Sequence, residues 1–267
     1  AAALTGRYAA SRAGVLAAER AAAAHGHPGR ASALRAMADP ARTFLSFDGR
    51  DGGSTAEVFC DLDTARRIAV LVPGSATNLD KYGLLRGGAL RLRDALGEGS
   101  AVIAWAGYRT PGTTGLDVLT TARADEAAPA LRAFVRDLRA IRPGARLSLL
   151  CHSYGSVVCG RAAPGLDVAD IVLYGSPGAG VPSVAAMRTR ATVWAGRGAA
   201  DWIRHVPHAS IPLHFATLGL GPDPLSPGFG ARPFPAGDGG HSDYLRPGSP
   251  ALTAIARIIA GRAARHA

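Results

Sequence analysis

Leu147-Ser148-Leu149-Leu150-Cys151-His152-Ser153-Tyr154-Gly155-Ser156-Val157-Val158 decides the reading of this chain. An apolar strand runs into a small residue, then into X-Ser-X-Gly, then into a helix expected over 154–163. A turn of this kind is sharp. It holds its serine in a strained backbone conformation and lifts the hydroxyl clear of the sheet edge. Positions two before and two after the serine lie where strand and helix nearly touch, so they must be small. Gly155 meets that demand, and Cys151 stands where glycine is usual. The plainer alternative is a serine that only caps the next helix. The strand before it, the helix after it and its place in an alternating series favour Ser153 as a nucleophile.

Working outward, Ile68–Val72, Ala101–Trp105, Ile171–Tyr174 and Thr192–Ala195 are further short apolar runs of the kind expected of strands buried on both faces. Helical spacing fills the gaps over 80–96 and 122–141, where Leu131, Phe134, Val135, Leu138 and Ile141 recur on one face. A last helix is expected over 250–262, with Leu252, Ile255, Ile258 and Ile259 together. Strand and helix in alternation imply a mostly parallel central sheet with helices on both faces. Before it, Thr43–Phe47 and Thr55–Phe59 flank a Gly-rich turn and read as an antiparallel hairpin. The Ala-rich stretch 8–38 reads as two helices broken near His25-Gly26-His27-Pro28-Gly29. Residues 1–40 are therefore read as an N-terminal helical extension and 41–267 as the main domain.

A serine nucleophile of this type needs an acid and then a histidine, in that order along the chain. The acid belongs just past a later strand, and Asp201 follows Thr192–Ala195. Asp170 precedes a strand, at the wrong edge of the sheet, while Asp223 and Asp238 lie in an irregular stretch and read as turn residues. The histidine belongs on a loop before the last helix, and Gly239-Gly240-His241 fits. His205, His208 and His214 compete but lack both the glycine loop and the helix after it. His152 adjoins the nucleophile, so its side chain is expected to point away. The oxyanion donors are expected from the backbone of Tyr154 and of Ser75 in Val72-Pro73-Gly74-Ser75-Ala76, with Ala76 as the alternative to Ser75. Trp105, Tyr108 and Arg109 follow a strand at the same carboxyl edge and are expected to line the substrate pocket. A plain core role for Trp105 is the alternative. The Pro- and Gly-rich stretch 217–240 is expected to pack over the site and carry His241, without the amphipathic helix of an interfacial lid.

Composition narrows the function. The formal charge of the 267-residue chain is +10. Lys81 is its single lysine, and the arginines are scattered. That skew, with heavy Ala and Gly usage, reads as coding bias, so no nucleic-acid partner is expected. No apolar run reaches the ~18 residues of a membrane span. The opening AAALTGRYAASRAG lacks the basic-then-apolar pattern of a secretory signal. Cys60, Cys151 and Cys159 lack metal or redox spacing. They are expected as buried free thiols, with one disulfide open to them in an oxidising compartment.

Five segments resemble the α/β hydrolases of high-GC, actinobacterial type catalogued as a domain of unknown function. They are VLVPGSATNLDKY (70–82), WAGYRTPG (105–112), LLCHSYGSVVCG (149–160), DIVLYGSPG (170–178) and GHSDYLRPGS (240–249). The resemblance spans roughly 55–260 and rests on the order of the segments. It implies an α/β-hydrolase fold and supports Ser153, Asp201 and His241 by position. PGSAT also resembles the oxyanion loop of cutinases. The expected activity is hydrolysis of a small carboxylic ester through an acyl-serine, with no metal or organic cofactor. Thioesterase, peptidase and acyltransferase chemistry share this machinery. A binding protein with a vestigial site on the same fold is the non-enzymatic alternative.

Overall fold

A computed structural model describes residues 2–112, 119–208, 211–212 and 217–263. Two N-terminal helices, α1 (Ala2–Ala24) and α2 (Pro28–Met37), are followed by the hairpin β1 (Thr43–Asp48) and β2 (Ser54–Phe59). Then come β3 (Arg67–Val72), α3 (Gly83–Leu96), β4 (Ser100–Ala106), α4 (Ala122–Ile141), β5 (Arg146–His152), α5 (Gly155–Ala162), β6 (Asp170–Tyr174) and β7 (Thr192–Gly196). Short strands β8 (Ile211–Pro212) and β9 (Thr217–Leu218) pair with each other. Strand β10 (Arg232–Pro233) and helix α6 (Pro250–Ile259) close the chain's described part.

Eight strands form the main sheet in the order β1-β2-β4-β3-β5-β6-β7-β10. Only β1–β2 and β2–β4 are antiparallel, and every other pair is parallel. The expected mostly parallel sheet is borne out, with the hairpin joined to one edge. Its two faces are legible in the period-2 alternation of each strand. Ile68, Val70, Leu147, Leu149, Ile171 and Val193 pack with Leu131, Val135 and Leu138 of α4 and with Val157 and Val158 of α5. Ala69, Leu71, Leu150, Val172 and Trp194 pack on the other face with Leu92 of α3 and Ile255, Ile258 and Ile259 of α6. The small β10 hides in the Pro- and Gly-rich stretch, where no period marks a strand.

The N-terminal helices pack mainly on the hairpin, and Leu4 and Tyr8 of α1 also join the main core. Val15 of α1 and Leu34 and Met37 of α2 form a separate apolar cluster with Phe44 of β1. Gly14 faces the Phe47 ring, and a methyl on Gly49 would meet Ala18 Cβ at 2.9 Å. Helix α1 thus lies along the edge strand. Beside it, Glu57 of β2 is buried and accepts a forked pair of bonds from Arg42 at 2.7 and 2.8 Å. A carboxylate that deep survives only with such a partner.

The cysteine expectation is corrected. Cys151 and Cys159 form a disulfide, and both are fully buried, whereas Cys60 is free and exposed. The reason is local. Cys151 sits on the face of β5 that α5 covers, and Cys159 lies one turn into α5 facing back, so their Cα atoms are 6.4 Å apart. The bond encloses Ser153 in a loop of sequence separation 8. Closing so short a loop stabilises by roughly 2–3 kcal/mol. The Cys151→Ala/Cys159→Ala double variant is therefore expected to unfold at lower denaturant, with an m-value no smaller than that of wild type because the uncrosslinked chain exposes at least as much surface. An unshifted midpoint would remove the bridge from the stability of the fold.

Candidate active site

Only two residues separate β5 from α5, and Ser153 is one of them. Its φ is +52°, a left-handed conformation that L-residues rarely adopt. Its N–H donates to Tyr174 O at 3.0 Å, which ties the turn to β6. The loop after β3 closes on the serine because two glycines leave room. A Cβ on Gly74 would fall 2.7 Å from Ser153 Cβ, and one on Gly155 would fall 2.4 Å from Val72 O. The small residue after the serine is thus required by β3 rather than by its own strand. Ser75 and Tyr154, the residues expected to supply backbone donors, line the same cavity as Ser153.

Asp201 follows β7 and is completely buried. It caps the short turn 202–205 by accepting from Ile203 N at 2.9 Å. His241 Nδ1 lies 2.9 and 3.1 Å from its two carboxylate oxygens, and His241 Nε2 lies 3.0 Å from Ser153 Oγ. A carboxylate only accepts, so Nδ1 carries the proton and Nε2 is left to accept from the serine hydroxyl. Gly175, at φ +56°, leaves the space in which these groups meet. A Cβ there would stand 3.2 Å from both Asp201 Oδ2 and His241 Cε1. Burial pushes the Asp201 carboxyl up. Hydrogen bonds from His241, Tyr244 and Ile203 outweigh it and hold the group below its ordinary value.

The competing residues lie elsewhere. Asp170 begins β6 at the far edge, where it accepts from Ser148 Oγ, Arg146 and Trp194 Nε1. Asp223 pairs with Arg197 at 2.8 Å, and Asp238 is exposed. His205 is exposed, and His208 Nδ1 bonds Pro177 O. His214 lies outside the described residues.

A family profile described as alpha/beta hydrolase matches residues 48–211. The chain belongs to the alpha/beta hydrolase family. An uncharacterized protein of Mycobacterium tuberculosis is 31% identical over 252 residues, covering 81% of this chain but only 38% of that protein. An uncharacterized protein of Mycobacterium bovis is 33% identical over 168 residues, covering 57% of this chain and 59% of its own length. The chain thus spans less than two thirds of the length of these relatives. Among solved structures, esterase PE8 aligns with a TM-score of 0.52 at 17% identity, covering 78% of this chain and 98% of its own. A dienelactone hydrolase-like promiscuous phosphotriesterase from metagenomic libraries aligns at 0.53 and 16% identity, covering 82% and 96%. At these identities the likeness is one of fold.

The chain surrounds His241 with aromatic side chains that were not expected from the sequence. The His241 ring lies between His152 and Trp202, with centroids 4.7 and 4.8 Å away. The His152 Nε2 lies 2.8 Å from the His241 carbonyl oxygen. Tyr244 OH donates to Asp201 Oδ2 and accepts from Gly198 N at 3.1 Å. Burial, helped by the Asp201 charge, raises the Tyr244 pKa, so the phenol stays a donor. Tyr244 follows the histidine by three residues, a spacing that carries no signal by itself.

His152 has a consequence for pH. It is packed against His241, Tyr174 and Tyr244, with Asp201 behind. Burial, then the neighbouring His241, lowers its pKa to about 4 against the opposing pull of Asp201. The unfolded chain protonates this residue near pH 6.5. Its contribution to stability is thus complete above about pH 6.5 and is lost as pH falls toward the folded value, by up to about 3 kcal/mol. Urea unfolding of wild type and His152→Asn across that window is expected to show a shallower pH slope in the variant. Equal slopes would assign the acid sensitivity to other groups.

Trp105, Tyr108 and Arg109 do not line the cavity. Trp105 and Tyr108 are buried and stack at 5.9 Å, and Arg109 is exposed. Tyr108 OH donates to Pro73 O at 2.6 Å, so the pair braces the loop that carries Gly74 and Ser75. The stretch 217–240 reaches the cavity through Leu220, while Phe229 and Phe234 are buried in the two faces of the core.

Proposed function

We propose that this hydrolase cleaves a carboxylic ester through an acyl-Ser153 intermediate, with Asp201, His241 and Ser153 acting as a unit. The supporting observation is the unbroken line of hydrogen bonds from buried Asp201 through His241 to a serine held at positive φ. In this reading His241 Nε2 takes the Ser153 proton as Oγ bonds to the ester carbonyl carbon. The carbonyl oxygen becomes an oxyanion that the Tyr154 and Ser75 N–H groups receive. As the tetrahedral species collapses, the acyl–oxygen bond breaks and His241 protonates the departing alcohol. Water then repeats the sequence on the acyl-enzyme and returns the serine. Asp201 keeps the Nδ1 proton in place and stabilises the transient imidazolium. The cavity above Ser153 is about 550 Å³, within the size range of small-molecule sites.

The direct test is covalent. A fluorophosphonate probe is expected to add once, with peptide mapping placing the adduct on Ser153. Labelling at another residue, or none, would overturn the assignment and leave the binding-protein alternative.

A further inference from the structure

The cavity continues past the three candidate residues along α3. Leu84, Leu85, Gly88 and Arg91 line it. Residues 84, 88 and 91 recur at i, i+4 and i+7, so they share one face of the helix. Helix α3 leaves the sheet edge that carries Ser153 and runs back along the sheet. Arg91 therefore stands two turns, about 10 Å, beyond Leu84. The floor is made by a missing side chain, because a Cβ on Gly88 would stand 3.1 Å from Leu245 Cδ1 and 3.7 Å from Leu71 Cδ2.

Two further observations say what enters. Among the described residues three large apolar side chains are exposed, Leu84 at 87%, Trp202 at 57% and Leu119 at 42%, and all three line this one cavity. Singly such residues need no explanation, but gathered around one opening they mark where apolar matter enters. The second is Arg91. It is the only arginine, lysine or carboxylate among the described lining residues. Its neighbours on α3, Arg86 and Arg93, each meet an acid, Glu57 and Asp94. Arg91 is exposed and meets none among the described residues, so an apolar groove ends at a solvated guanidinium that can donate to a carboxylate or phosphate.

We propose that the α3 groove takes the acyl chain of the substrate and Arg91 its far end, so that the preferred esters are those of medium-chain acids bearing a terminal anion, carboxylate or phosphate. The acyl part belongs here because it stays bound through both halves of the reaction. Buried Gly88 gives that part a floor to rest on. The inference rests on Ser153 as the nucleophile.

The test compares p-nitrophenyl esters of butyric acid, octanoic acid and suberic acid, the last as its half-acid. Wild type is expected to favour the suberyl over the octanoyl ester by about three- to fivefold in kcat/KM, mostly through KM. Arg91→Gln is expected to bring the two to equal values. Leu84→Ser, a fully exposed change, is expected to lower both relative to butyrate. In parallel, suberic acid monobutylamide is titrated into Ser153→Ala protein, with and without Arg91→Gln. Binding weakened about three- to fivefold by Arg91→Gln is expected. Equal wild-type rates for the two long esters, or binding indifferent to Arg91, would overturn the groove assignment. Arg91-dependent binding with no hydrolysis of any ester would instead keep the groove and remove the esterase reading.

Discussion

Ser153→Ala is expected to lower kcat for a good ester substrate by about 10⁵–10⁶-fold while the protein stays folded. The size follows from the chemistry. Without Oγ no acyl-enzyme forms, and water must attack directly, helped only by binding and by the oxyanion donors. The fold is expected to survive because Oγ bonds only a side chain, His241 Nε2 at 3.0 Å, among the described residues, while the turn is held by backbone bonds such as Ser153 N to Tyr174 O. The cysteine bridge also encloses this turn. Unchanged circular dichroism with the loss of activity is the expected pair of results. Activity within tenfold of wild type would discard Ser153 as the nucleophile.

The second large effect belongs to Asp201→Asn, with an expected loss of about 10⁴-fold in kcat. Asp201 receives donors on both oxygens: His241 Nδ1, Ile203 N and Tyr244 OH. An asparagine amide must turn its NH2 toward one of them. Whichever way it turns, the negative charge opposite the imidazolium is gone. Because those donors hold the Asp201 carboxyl below its ordinary range, wild-type Asp201 stays ionised across the working range. Its contribution is present above the ordinary carboxylate pKa and is lost only as pH falls through the lowered one. Ionisation of Asp201 itself is therefore expected to add no pH dependence to the ratio of wild-type to variant kcat above about pH 5. A ratio near one at the wild-type pH optimum would mean that another group carries the charge.

The alternating sheet was readable because each central strand is a short apolar run and each helix repeats near every fourth residue. The order of strands around 147–158 and the glycine loop before the last helix were enough to single out Ser153, Asp201 and His241 as candidates. Other features were hidden for identifiable reasons. His152 and Tyr244 act through their neighbours, a backbone carbonyl and a carboxylate, and one residue type at one position carries no trace of that. The disulfide depends on two side chains facing each other across a turn, which composition alone does not show. Trp105 was placed at the pocket because its strand ends at the correct edge. The parity of β4 gives the better reading, since Ala101, Ile103 and Trp105 alternate together onto the face covered by α4. The cavity instead takes Leu71, Tyr174 and Leu245 from the opposite face. The groove along α3 was missed because its decisive residue, Gly88, reads in a sequence as a weak helix position.

The two margins of the sheet are treated differently, and this bears on self-assembly. On one side β10 is two residues long and half of it is proline, which has no N–H to offer a further strand. On the other side β1 is six residues long, with nothing paired beyond it in the sheet, and helix α1 lies along it. A chain cut just before Thr43 would keep every residue of the candidate site and lose that cover. Its bare strand would be a template on which a second molecule could add a strand of its own, and a third after that. Such a truncated chain is expected to sediment as larger species than the full chain.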